Sequence, residues 1–134
     1  MAITLETAAR NAAADAVTAL VDAGTPPGDV AIRDASNNIL CTIEFLTEAF
    51  GPATNGVCTA DCDPALTSVG LAAAGAGTAA TNYIVRNAAG TTIWSGTVTA
   101  TGAGGDMTLD NVSIAEDQVV NVTGFTFTMP ATVA

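Results

Sequence analysis

The sequence predicts a mainly β protein, an antiparallel β-sandwich or small barrel with one N-terminal α-helix. Three observations lead there. Apolar residues recur at helical spacing only once, at the start of the chain. After Pro26-Pro27-Gly28 the apolar pattern becomes alternating. The remainder is a series of short Val-, Ile- and Thr-rich segments punctuated by Gly, Pro and Asn. The 134 residues fit a single domain, 1–134, with the helix over 4–23 and a β-rich body over 29–130.

The helix rests on Leu5, Ala9, Ala12, Ala13, Ala16, Val17 and Leu20, which form one apolar stripe; Glu6, Arg10, Asn11, Asp15, Thr18 and Asp22 line the other side. Thr4 is placed to cap it, Glu6 suits the positive end of its dipole, Gly24 stops it, and Pro26-Pro27 prevents its resumption. The stripe is mostly alanine, which permits close approach, either to the protein's own sheet or to a partner subunit.

Val30–Arg33 and Ile39–Phe45 flank the turn-rich Asp34-Ala-Ser-Asn-Asn38 and read as a hairpin, with Ile39, Cys41, Ile43 and Phe45 facing inward. Residues 47–65 are loop-like, with a short strand over Val57–Ala60. A strand over Leu66–Ala73 precedes the low-complexity Ala74–Thr78. Asn82–Asn87 and Thr91–Thr99 make a second hairpin that brings Tyr83 near Trp94. Thr101–Asp106 reads as a flexible loop, followed by short strands at Met107–Leu109 and Val112–Ile114. In the last strand, Gln118–Met129, the apolar positions pass from Val120 and Val122 to Phe125, Phe127 and Met129. This parity change predicts a bulge at Thr123-Gly124.

Composition narrows function by exclusion. Thirteen acids against three bases give a net charge of -10, and only Arg10, Arg33 and Arg86 could meet phosphates, so no nucleic-acid partner is expected. The absence of histidine removes serine-hydrolase triads and imidazole acid–base chemistry. No apolar run approaches a membrane span, and Met1–Leu5 lacks the basic start of a secretory signal, so synthesis in the cytoplasm is expected. Cys41, Cys58 and Cys62 read first as reduced, partly buried thiols, with a disulfide as the alternative. Cys58-x3-Cys62 lacks the four donors of structural zinc. Asp61 with Asp63, Asp106 with Asp110, and Glu116 with Asp117 are solvated loop carboxylates, or at most oxygen donors for calcium. Gly102-x-Gly104-Gly105 lacks the Lys-Ser/Thr of a phosphate loop. The expectation is a non-enzyme without catalytic residue, metal or cofactor.

Three stretches carry a resemblance: Met1–Ala16, the Asn82–Gly96 hairpin, and Gly104–Ile114 continuing through Phe125-Thr-Phe-Thr-Met-Pro130. In this order the chain resembles small structural proteins of tailed bacteriophages with long non-contractile tails, in particular capsid decoration or cement proteins. Residues 58–62 and the Ala/Gly run at 74–78 depart from the pattern. The resemblance implies a homo-oligomeric component of the virion on the outer capsid surface, bridging subunits of the major capsid protein. Many such proteins stand as trimers at local three-fold positions. The contact surfaces expected are Met1, Ala2, Ile3, Thr4 and Leu5, the loop at Thr54 and Asn55, the loop at Ala74, Gly75, Gly77 and Thr78, and a sheet edge. The alternatives are a tail tube or terminator subunit, a head fibre, or, from another class, a carbohydrate-binding module using Trp94 and Tyr83.

Overall fold

The computed structural model describes residues 3–22, 28–46, 48–62, 66–100, 102–103, 107–109, 111–130 and 132–133. Its elements in chain order are β1 (Ile3–Thr4), α1 (Thr7–Val21), β2 (Asp29–Arg33), β3 (Ile39–Glu44), β4 (Val57–Thr59) and β5 (Thr67–Val69). A 3-10 turn (Ala72–Ala74) leads to β6 (Thr78–Ala79), β7 (Asn82–Arg86), β8 (Thr92–Ala100), β9 (Met107–Leu109), β10 (Ser113–Ile114), β11 (Val119–Thr128) and β12 (Thr132–Val133). The chain is mainly β with one helix, as the alternation predicts.

Eight strands form one sheet in the order β3-β2-β7-β8-β9-β11-β4, with β5 also on β11. The sheet nearly closes into a barrel, because the Leu71 amide, just past β5, donates to the Leu40 carbonyl of β3 at 2.7 Å. Closure leaves few free edges. Not every neighbour is antiparallel: β8 and β9 run parallel, joined by the connection after Ala100. The two hairpins form as expected, β2 on β3 and β7 on β8. Asp34 organises the first turn by accepting from the Ser36 and Asn38 amides at 2.8 and 2.9 Å. Asn55 and Gly56 take left-handed φ values of 52° and 79° between the bridged Thr54 and Val57, the geometry of a two-residue turn. Along β11 the register slips between Val122 and Gly124, which is the bulge that the parity change requires.

Three details differ from the sequence reading. Ile3 and Thr4 belong to β1, which pairs with β12, so the helix starts at Thr7 with Glu6 as its cap residue and no side-chain capping bond. The expected stop at Gly24 and Pro26-Pro27 lies outside the described residues. The strand expected to continue to Ala73 ends at Val69, and three consecutive alanines close a 3-10 turn instead. Of the residues expected to face inward, Cys41, Ile43 and Phe45 are buried as alternation predicts and Ile39 is half-buried. Leu40 is buried as well, because the β2–β3 register shifts beside it.

The core is filled by Ile32, Leu40, Ile43, Leu66, Tyr83, Val85, Met107, Leu109, Ile114 and Phe125, all buried. All six aromatic residues of the chain share one contact network. Phe125 lies 5.0 Å from Tyr83, 5.5 Å from Phe50 and 5.8 Å from Phe45, and Trp94 lies 4.7 Å from Phe127. The Tyr83 ring crosses β8 over Gly96, where a Cβ would stand 2.5 Å from the phenol oxygen, and its hydroxyl accepts from the Trp94 indole at 3.3 Å.

Candidate functional site

The helix settles which surfaces are available for contact. It packs against β4, β8 and β11, yet it does so with the side that the sequence pattern assigns to solvent. Ala14, Thr18 and Val21 are buried, and Arg10, Asn11 and Val17 are half-buried. Three acceptors on this side receive backbone amides from the 49–56 loop. Asn11 Oδ1 accepts from Gly56 at 2.8 Å, Asp15 Oδ1 from Ala53 at 2.8 Å, and Asp22 Oδ1 from Ala49 at 2.9 Å. Arg10 Nε donates to the Met129 carbonyl at 3.1 Å, and Thr18 satisfies its hydroxyl on the Ala14 carbonyl at 3.1 Å. The polar residues of α1 thus anchor a loop that has few strand partners of its own.

The consequence is an apolar face turned outward. Ala8, Ala9, Ala12, Ala16, Ala19 and Leu20 are exposed, and Ala13 is half-buried at the margin. Leu20 is 51% exposed and Ile3, on β1, 61%. No charged residue lies between them on that face; Glu6, Asp15 and Asp22 stand at its rims. The expected stripe therefore exists, but of its residues only Leu5, Ala13 and Val17 are half-buried and none is fully buried. A second apolar patch sits where β11 begins. Val69 and Val119 are cross-strand partners, 44% and 61% exposed, and Leu71 follows two residues later at 43%. Cross-strand partners share a face of the sheet.

The expected contact residues divide between the two ends of β11. Thr54 and Asn55 are exposed on the tight turn beside Arg10 and Met129, at the same end as Ile3, Thr4 and Leu5. Met1 and Ala2 lie outside the described residues. Gly75 and Gly77 are exposed at the other end, where the Glu116 amide donates to the Gly75 carbonyl at 2.8 Å. Ten residues of β11 separate the groups, roughly 30 Å at the usual strand rise. Ala74 is 1% exposed and so cannot be a contact, and half-buried Thr78 directs its hydroxyl to the Ala74 carbonyl at 2.9 Å. Sequence reasoning missed Val69, Leu71 and Val119, and left open whether the stripe of α1 faces the protein's own sheet or a partner subunit. Val119 was legible: if Val120 and Val122 point inward, the residue before them must point out.

Among the described residues, the thiols and their neighbours are the groups to weigh for bond-making chemistry. The Cys58 thiol donates to Asp15 Oδ1 at 3.7 Å, the pairing from which a nucleophile would be sought. Burial pushes that thiol up from its ordinary pKa, and the Asp15 charge adds to the rise, so the pair keeps the sulfur protonated. Cys41 is raised by burial, and Cys62 by burial and then by the Asp61 charge; all three are free thiols. Among the described residues no group of three or more His, Cys, Asp or Glu is placed to hold a metal ion; Asp63, Asp106 and Asp110 lie outside them. Each arginine is engaged internally: Arg10 on Met129, Arg33 Nε on Asn82 Oδ1 at 2.8 Å, and Arg86 Nε on Asp29 Oδ1 at 2.7 Å.

Described residues line two open clefts. One, of about 320 Å³, is lined by Glu48, Phe50, Gly51, Thr59 and Asp61. The other, of about 160 Å³, is lined by Tyr83, Trp94, Ser95, Thr126, Phe127 and Thr128. No helix of the described residues is long and apolar enough to cross a membrane. No family model, curated protein or solved structure matches the chain.

Proposed function

We propose that this chain is a structural protein of a tailed-bacteriophage virion, a capsid decoration or cement protein that binds the outer face of the head and bridges major-capsid subunits. The observation that carries an adhesive role is the pair of exposed apolar surfaces, the outer side of α1 with Ile3 and the Val69–Leu71–Val119 patch. A bridging protein needs at least two contact faces, and soluble chains rarely leave such groups uncovered. The assignment to a capsid rests on the resemblance of residues 1–16, 82–96 and 104–130. Acidity fits an outer face: a chain of charge -10 is repelled by packaged DNA.

Cementing on this reading is linkage. A protein that binds the expanded shell and not its precursor stabilises the expanded form by mass action, and many modest contacts add around the lattice. The test is to purify particles that encode the chain and measure its ratio to the major capsid protein, with antibody labelling of intact particles. A fixed ratio near that of the shell subunit, with outer-surface labelling, supports the proposal. Absence from the particle, or a ratio far below the shell count, overturns it and favours a tail or fibre component.

The Trp94–Phe127 cleft favours one second reading, carbohydrate binding, because aromatic and hydroxyl-bearing residues together line it. Glycan-array binding that is lost in Trp94→Ala would support it over the first.

A further inference from the structure

We propose that Asn55 is a site of self-modification, in which the Gly56 nitrogen closes on the Asn55 side chain to form a succinimide, and that Asn11 on α1 holds that nitrogen back. The reaction marks molecules in which α1 has lost its hold on the turn. The inference is independent of where the protein resides.

The dipeptide is the reactive one. Of the chain's asparagines only Asn55 precedes a glycine, and no aspartate does. Glycine leaves the attacking nitrogen unshielded by a side chain, and Asn55 is exposed on its turn. The Gly56 nitrogen gives its proton to hydroxide and bonds to Asn55 Cγ. The Cγ–Nδ2 bond breaks, and the nitrogen leaves as ammonia after taking a proton from water. A water molecule then opens the ring at one of its two carbonyls. The product is aspartate, or isoaspartate with the main chain running through the side-chain carbon.

The turn requires this dipeptide in spite of its reactivity. Both residues are left-handed, with φ of 52° and 79°, which asparagine and glycine tolerate best. At Gly56 a Cβ would stand 2.8 Å from the Arg10 guanidinium and 2.9 Å from the Met129 carbonyl oxygen, so no side chain fits. A turn built this way has to be restrained by its hydrogen bonds.

Those bonds are in place. Buried Gly56 donates its amide to Asn11 Oδ1 at 2.8 Å, and its carbonyl accepts from the Met129 amide at 2.8 Å. Thr54 and Val57 exchange both backbone bonds, at 2.9 and 3.0 Å. The peptide groups on either side of Gly56 therefore cannot turn to present its nitrogen to Asn55 Cγ while the bonds last. Local opening of α1 breaks the Asn11 bond and exposes the amide to hydroxide. Isoaspartate then lengthens the main chain by one carbon. The two-residue turn no longer closes, and Asn11 loses its partner permanently.

The test holds the purified protein at mildly alkaline pH in heavy-oxygen water and maps it over time by mass spectrometry, with isoaspartate counted by its repair methyltransferase. Asn55 should convert before any other asparagine and take up one solvent oxygen. Urea-unfolded protein should convert at least about tenfold faster than folded protein, since several of these bonds are then lost together. Asn11→Ala should speed the folded protein about fivefold, the worth of one hydrogen bond, with unchanged circular dichroism. Asn11→Asp keeps an acceptor and should stay slow. Gly96→Ala, which strains the core at Tyr83 without touching the turn, should also stay slow. Another asparagine converting first, equal rates in folded and unfolded protein, no acceleration in Asn11→Ala, or the same acceleration in Gly96→Ala would each overturn the proposal.

Discussion

The orientation of α1 can be tested by placing the same side chain on its two sides. Ala14 is fully buried and Ala12 is exposed, two positions apart on one helix, so Glu at either carries the same propensity cost of about 0.4 kcal/mol. Ala12→Glu should cost no more than that. At Ala14 the carboxyl has to stay protonated to remain inside; holding it so at pH 7 against an ordinary value near 4.3 costs about 3.7 kcal/mol. The extra atoms overpack the site by about 1–3 kcal/mol more. Together these approach the whole stability of a small domain, about 5–15 kcal/mol. At about 4 °C per kcal/mol for a chain of this length, Ala12→Glu should lower Tm by under ~2 °C. Ala14→Glu should lower it by ~20 °C or leave the chain unfolded. Thermal and urea melts at micromolar protein, followed by far-ultraviolet circular dichroism, read both. Ala14→Val supplies a graded measurement if the charged variant does not fold, with an expected loss of about 1–3 kcal/mol. The reasoning is refuted if Ala12→Glu or Ala16→Glu proves as damaging as Ala14→Glu, because the alanine stripe would then be the buried side.

Other outcomes follow from single contacts. Gly96→Ala drives a methyl against the buried Tyr83 ring, whose carbons would lie at 2.7 Å, and should cost about 1–3 kcal/mol with a change in Trp94 fluorescence; Tyr83→Phe should not rescue it, since the ring carbons remain. Asp15→Ala removes the acceptor for the Ala53 amide and should cost about 1 kcal/mol in urea melts, whereas Asp15→Asn, which keeps an oxygen there, should cost less. Cys41 and Cys58 are buried with raised pKa values, so native protein at pH 8 should label with a thiol reagent far more slowly than urea-unfolded protein, the rate climbing as pH rises past the ordinary thiol range. The Asp34 carboxyl is held below 3.8, first by the Asn38 amide, then by the Asn38 side chain and the Ser36 amide. Its folded pKa lies below its unfolded one, so its contribution is present above 3.8 and lost as pH falls through the lower folded value; Asp34→Asn should therefore flatten the fall of Tm below pH 4.

Local chemistry made much of the sheet legible. Asp34 in the first turn and Asn55-Gly56 in the tight turn before β4 specify connections by their own hydrogen bonds and left-handed geometry, and Val122 to Phe125 reveals the bulge because alternation has a strict period. The parallel β8–β9 pair was not legible, because parallel neighbours are chosen by long-range closure of the sheet and leave no local mark on three residues. The 3-10 turn at Ala72–Ala74 escaped for a related reason: alanine is compatible with strand, turn and helix alike. Of the contact surfaces, exposed turns such as Thr54-Asn55 were recognisable, while Ala74 misled, since an Ala/Gly run looks like a solvent loop even where one methyl is buried.

The helix shows most clearly why amphipathic pattern alone can mislead. Turning α1 to bury Ala9, Ala12, Ala16, Ala19 and Leu20 would gain about 5 kcal/mol of apolar burial. It would forfeit about 4 kcal/mol now obtained from Ala14, Val17 and Val21, so the apolar terms almost cancel. Hydrogen bonds decide the matter. The amides of Ala49, Ala53 and Gly56 would lose Asp22, Asp15 and Asn11, and the Met129 carbonyl would lose Arg10, at about 1 kcal/mol or more for each bond. A stripe of alanine has too little area per residue to outweigh four polar anchors, whereas a stripe of leucine would have enough. The small size of those side chains therefore allows the helix to expose them. If Ala9, Ala12 and Ala16 were all replaced by leucine, the balance should tip. The helix should then rotate or the chain should associate irreversibly, and loss of protection of the Ala53 and Gly56 amides in hydrogen exchange would identify the first outcome.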